Sequence, residues 1–128
     1  MKSEERALMH TLQSITGKRF TEAINKYADY DCETDNAIVE LKVRAKVYSD
    51  KLIELSKMAR NLLLAEELGK DFVYVVKDPS GVYYLNISEN SRDILKREPI
   101  KLKCPKTTEF NNNEYVYKSC YTLKMIKI

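Results

Sequence analysis

The stretch that decides the fold is Tyr30-Asp31-Cys32-Glu33-Thr34-Asp35-Asn36-Ala37-Ile38-Val39-Glu40-Leu41-Lys42-Val43-Arg44. From Ala37 to Arg44 the residues alternate strictly. Ala37, Val39, Leu41 and Val43 take one face of an extended chain, and Ile38, Glu40, Lys42 and Arg44 take the other. The preceding residues alternate too, with Ala28, Tyr30 and Cys32 against Asp29, Asp31 and Glu33. Asp35-Asn36 between them has turn chemistry, so residues 24–33 and 37–44 are predicted as the two strands of a hairpin. A two-residue turn sets Thr34 opposite Ala37, Glu33 opposite Ile38, Asp31 opposite Glu40 and Asp29 opposite Lys42.

Directly opposed Cβ atoms lie about 4.5 to 5.5 Å apart, so this register aims the Asp31 and Glu40 carboxylates at one point. Bare, the pair is repulsive. A hard divalent cation would turn it into a site, and Mg²⁺ suits a few carboxylates completed by water and substrate phosphate. Lys42, on the same face, is placed to orient a water or to stabilise charge developing on a phosphate. Asp35 is the weaker partner for Glu40: five residues along an extended strand is about 16 Å. The structural alternative for Asp31, Glu40 and Lys42 is an exposed hairpin face with ordinary ion pairs.

Outward from the hairpin, Ser3, Glu4 and Glu5 read as a helix start, followed by a stripe of Leu8, Leu12 and Ile15 and a stop at Gly17. After the hairpin a long helix is predicted, capped by Ser49 or Asp50, striped by Leu52, Leu55, Ala59, Leu62 and Leu63, and ended by Gly69. Lys57 shares a stripe with Ile53 and Leu64; it either reaches towards the site or snorkels as a surface lysine. The unbroken apolar run from Phe72 to Val76 has the character of a buried central strand. Asp78-Pro79-Ser80-Gly81 is a turn, and Val82 to Ile87 a further strand. Beyond residue 88 the pattern weakens: a short helix over Ser91 to Arg97 ended by Pro99, a loop at Asn111-Asn112-Asn113, and one or two strands from Tyr115 to Ile128.

At 128 residues, without a repeat or a linker, the chain reads as a single α/β domain over 1–128, with its core at about 3–87 and a basic extension over 88–128. The extension holds nine Lys/Arg and five Asp/Glu, or +4; the first 87 residues hold thirteen and fourteen, or −1. That asymmetry fits a phosphate backbone as partner, and equally a solvated basic surface. No apolar run approaches the length of a bilayer span, and the charged start lacks a secretory signal, so no membrane association is expected. Cys32, Cys104 and Cys120 form no C-x-x-C, and His10 alone cannot complete a zinc motif, which favours a reducing cytoplasm. A single histidine on a predicted helix also argues against a Ser-His-Asp or Cys-His hydrolase.

Asp31 followed by Glu40-Leu41-Lys42 on the next strand resembles the D…(D/E)-x-K core of the PD-(D/E)xK nuclease superfamily, with Tyr30 where the proline would precede the acid. Residues 3–87 are similar in pattern to small phage and large-virus proteins of that type, and Lys106-Thr107-Thr108-Glu109-Phe110 is a fainter echo. The resemblance implies a restriction-endonuclease-like fold, a central mixed sheet flanked by helices in α-β-β-α-β order. It implies Mg²⁺, or Mn²⁺ in its place, held by Asp31, Glu40 and the backbone carbonyl of Leu41. Lys42 would position the attacking water, and a first-helix acid, Glu5 with Glu4 close behind, would complete the site; helix-dipole complementation explains either acid as well.

The function expected is a metal-dependent endonuclease hydrolysing DNA phosphodiester bonds, in the cytoplasm, or the host cytoplasm if phage-encoded. The rival expectations are a Holliday-junction or branched-DNA resolvase, an RNA-directed enzyme, and a non-catalytic binding or accessory protein that keeps the fold. One domain has one site, so cutting both strands calls for a homodimer or repeated nicking.

Overall fold

The computed structural model describes residues 1–24, 28–105 and 114–128. In chain order the elements are α1 (Ser3–Thr16), β1 (Thr21–Glu22), β2 (Cys32–Glu33), β3 (Ala37–Val43), β4 (Lys51–Glu54) and α2 (Leu55–Leu68). There follow β5 (Asp71–Asp78), β6 (Gly81–Asn86), α3 (Ile87–Leu95), β7 (Ile100–Pro105), β8 (Tyr115–Leu123) and β9 (Ile126–Lys127). Six strands form one mixed sheet in the order β1-β2-β3-β5-β6-β9; β4, β8 and β7 form a second, antiparallel sheet. The parallel pair β3 and β5, in register from Ala37↔Asp71 to Val43↔Lys77, is the centre of the larger sheet.

Parallel strands have to be covered on both faces, and the two apolar sets of these strands find separate covers. On one face Val39, Leu41 and Val75 meet Leu8, Met9 and Leu12 of α1. On the other, Ile38, Phe72, Tyr74 and Val76 meet Met58 and Ala65 of α2, Ile87 and Ile94 of α3, Ile53 of β4, and Tyr121 and Leu123 of β8. Full burial of a side chain such as Ile38 or Phe72 is worth roughly 1.5–3 kcal/mol. The last forty residues therefore help to close this core, and β9 forms an edge of the larger sheet.

The structure departs from the sequence expectations at identifiable places. Helix α1 begins at Ser3 itself, with Lys2 in the flanking extended position, and Ile15 stays half exposed. The long first hairpin strand is much shorter: only Cys32 and Glu33 pair with β3, in the expected register, while Thr21 and Glu22 pair with them from beyond. The part of that strand over 25–27 lies outside the described residues, as do Asn111-Asn112-Asn113 and residues 106–110. Ser49 and Asp50 cap no helix. Residues 51–54 are a strand, because β8, some seventy residues later, supplies hydrogen-bonding partners that a local pattern cannot show. Helix α2 consequently buries Met58, Asn61 and Ala65, while Ala59 and Leu63 face solvent. Helix α3 starts at Ile87, four residues earlier than expected, because Asn86 caps it by accepting a hydrogen bond from the Glu89 amide at 3.0 Å.

The turn that ends β5 is fixed by charge. Lys51 Nζ lies 2.8 Å from Asp78 Oδ2, and the Ser80 amide donates to Asp78 Oδ1 at 2.8 Å. The Lys51 hydrogen bond and then those from Ser80 pull the Asp78 carboxyl from its ordinary 3.8 down to about 2. A depressed carboxyl adds stability above its unfolded pKa, and that stability is lost as pH falls through the folded value. Asp78→Asn should therefore lower the melting temperature at pH 7 and flatten its decline between about pH 4 and pH 2. Melting curves of both proteins across that range check this; parallel declines would show that Asp78 gains nothing from its partners.

Candidate metal centre

Glu40 stands in the middle of β3, opposite Tyr74 of β5, and is only 4% exposed. A carboxylate so placed needs compensation, and two lysines supply it. Lys42 Nζ is 3.5 Å and Lys57 Nζ 3.9 Å from Glu40 Oε1. Glu40 Oε2 is buried and has no hydrogen-bond partner among the described residues. Burial raises the Glu40 pKa, the two lysine charges oppose the rise, and the nearby Asp31 charge adds to it. Burial likewise pushes the Lys42 ammonium below the usual lysine value, against the pull of Glu40 and with the push of Lys57. Lys57 sits in the first turn of α2, the helix that covers this face of the sheet.

Asp31 reaches the site differently from the expected cross-strand pairing. The β2–β3 ladder stops at Cys32↔Val39, and the Asp31 amide donates to the Val39 carbonyl at 2.9 Å. With the regular ladder ended, Asp31 Oδ2 accepts the Leu41 amide hydrogen at 2.7 Å. Alternate residues of a strand turn their backbone groups to the same edge, so the Leu41 carbonyl opens on this same gap. Asp29 does not face Lys42; its carboxylate lies 3.2 Å from Arg60 Nε on α2. Asp35 is exposed at the turn.

Among the described residues no hydrogen bond or ion pair joins Glu5 or Glu4 to this group. Helix α1 docks its Leu8, Met9 and Leu12 stripe on the opposite, Val39–Leu41 face of the sheet. Sequence reasoning passed over Asn61. Completely buried on α2, it donates from Nδ2 to the Asp29 carbonyl at 3.1 Å and so ties down the chain two residues before Asp31. Its signal was a polar residue on the face shared by Met58 and Ala65, one turn beyond Lys57.

Among the described residues no group of three or more His, Cys, Asp or Glu side chains is arranged to hold a metal. The oxygen donors present are the Asp31 and Glu40 carboxylates and the Leu41 carbonyl. That set, with one buried carboxylate oxygen lacking a partner, fits a hard cation that keeps several of its waters, as Mg²⁺ does.

Against solved structures, the chain is similar to Hjc, a Holliday junction resolvase from the archaeal hyperthermophile Archaeoglobus fulgidus, with a TM-score of 0.57 at 12% identity, covering 93% of this chain and 86% of that one. The chain has a restriction-endonuclease-like fold. No protein-family model matches it, and no curated protein does. In this fold the candidate residues Asp31, Glu40, Lys42 and Lys57 sit where the mixed sheet meets α2, on β3 and beside its edge towards β2. Among the described residues no helix is long and apolar enough to cross a membrane.

The Asp31 and Glu40 charges repel each other when no cation lies between them. Asp31→Asn should therefore melt at or above the parent's temperature in metal-free buffer. Mg²⁺ should raise the parent's melting temperature and leave the variant's nearly unmoved. Four melting curves decide this; an equal Mg²⁺ shift in both proteins, or strong destabilisation of the metal-free variant, would make Asp31 a structural residue.

Proposed function

We propose that this protein is a Mg²⁺-dependent nuclease that hydrolyses phosphodiester bonds in branched DNA, with four-way junctions as the substrate class. The observation that carries the reading is the buried Glu40 carboxylate, with one oxygen on two lysines and the other without a partner among the described residues. Most buried structural carboxylates have both oxygens satisfied. The likeness of the fold to a junction resolvase favours branched over linear DNA.

In this mechanism Asp31, Glu40 and the Leu41 carbonyl would hold the cation, and Mn²⁺ could take the place of Mg²⁺. When bound there, the cation would supply a water of lowered pKa and positive charge against the phosphate. Lys42, beside Glu40 on the same face of β3, orients the attacking water. Lys57 offsets the negative charge that gathers on the phosphoryl oxygens during displacement. Asn61 and Arg60 keep the chain before Asp31 in place. Each chain carries one such site, so paired cuts across a junction call for a homodimer.

Glu40→Ala and Lys42→Ala should each lower the rate of junction cleavage by about a hundredfold or more. Both variants should still bind junction DNA. The assay is incubation of supercoiled, linear, single-stranded and four-way-junction DNA with Mg²⁺, Mn²⁺ or EDTA. Metal-independent cleavage, or full activity in Glu40→Ala with contaminating nuclease excluded, contradicts the proposal. Binding without any cleavage by the parent would return the chain to the non-catalytic binding class.

A further inference from the structure

Strands β7 and β8 form a hairpin whose inner end belongs to the core and whose outer end does not. Register pairs Lys101 with Ser119, Lys103 with Tyr117 and Pro105 with Tyr115. Residues of like parity share a face, so Lys101, Lys103, Tyr115, Tyr117 and Ser119 lie on one side of this ribbon. That side continues the one on which Tyr121 and Leu123 enter the core. Past the edge of the core it is largely open among the described residues: Tyr117 is 73% and Tyr115 57% exposed, and Lys101 and Lys103 are exposed as well. Lys103 Nζ lies over the Tyr115 ring, 5.2 Å from its centroid, which places cation and ring on the same face.

Most of both tyrosine rings is open to solvent among the described residues. They alternate with lysines, and the five residues of this face include no acid. The ribbon also adjoins the start of the helix that carries Lys57. Tyr117 and Ser119 line a cleft of about 420 Å³ with Glu54, Leu55, Ser56 and Ala59, in the same opening turns of α2 that carry Lys57 towards Glu40.

We propose that this face of the β7–β8 ribbon binds unpaired nucleotides, with bases stacked on Tyr115 and Tyr117 and phosphates neutralised by Lys101 and Lys103. Flat rings accept any base, and ammonium groups between them match the backbone of a single strand. Duplex DNA, whose bases are already stacked, gains only the phosphate contacts. The inference rests on the nuclease reading for its purpose, which is to hold the opened strands of a branch beside the cut. It can be tested without cleavage.

The experiment measures binding by metal-free protein to a labelled single-stranded oligonucleotide and to a blunt duplex of the same length. The proteins are the parent, Tyr115→Ala, Tyr117→Ala, Tyr117→Phe and Lys101→Gln/Lys103→Gln, with circular dichroism confirming that each is folded. Each tyrosine-to-alanine change should weaken single-strand binding roughly tenfold or more and leave duplex binding within about twofold. Tyr117→Phe, which keeps the ring, should restore most of the affinity. The lysine pair should weaken both ligands and reduce the salt dependence. Unchanged single-strand affinity in both alanine variants, or equal losses for single strand and duplex, overturns the inference. Absence of metal-dependent cleavage by the parent would overturn the nuclease reading instead, and would leave the binding result standing.

Discussion

The arrangement depends on the parallel pairing of β3 with β5. Two strands covered on both faces have no solvent side on which to place a charge, yet Glu40 occupies the middle of one of them. The cost of taking that carboxylate out of water is met in part by Lys42, two residues along the same strand, and by Lys57, delivered by the helix that covers the face. Neither lysine reaches the second oxygen. Helix α2 thus does two jobs: it buries Met58 and Ala65 against the sheet, and it brings Lys57 and Asn61 to the acids.

The end of the β2–β3 ladder is the second constraint. Had pairing continued past Cys32, the Leu41 amide would have bonded to a backbone carbonyl and the gap beside Glu40 would have closed. Instead the Asp31 carboxylate takes that amide, which fixes an acid at the strand edge. Arg60 and Asn61 then hold Asp29, so the irregular segment leading to Asp31 is tethered from α2.

The centre of this structure was legible in the sequence because it is written in local periodicity. The alternation from Ala37 to Val43, the apolar run in β5 and the glycine stops of both long helices each depend on residues within a few positions of one another. The same alternation put Glu40 and Lys42 on one face. Features set by distant partners were not legible. Residues 51–54 look like a helix start until β8 is known to lie beside them, and the short alternation Ile100-Lys101-Leu102-Lys103-Cys104 of β7 becomes a strand only through its pairing with β8. Glu5 comes to the site from resemblance alone; among the described residues no hydrogen bond or ion pair ties it to Asp31, Glu40 or Lys42. Asn61 was missed because a buried polar residue in a helix declares its purpose only through its partner.

The central claim is that a cation occupies the gap bounded by Asp31, Glu40 and the Leu41 carbonyl. The most direct test is titration of the isotope-labelled protein with substoichiometric Mn²⁺, which broadens amide resonances close to where it binds. Broadening should begin at Asp31, Glu40, Leu41 and Lys42, and excess Mg²⁺ should reverse it. Broadening that starts elsewhere, at Glu66 and Glu67 or at Asp93 for example, or that Mg²⁺ fails to reverse, would contradict the account.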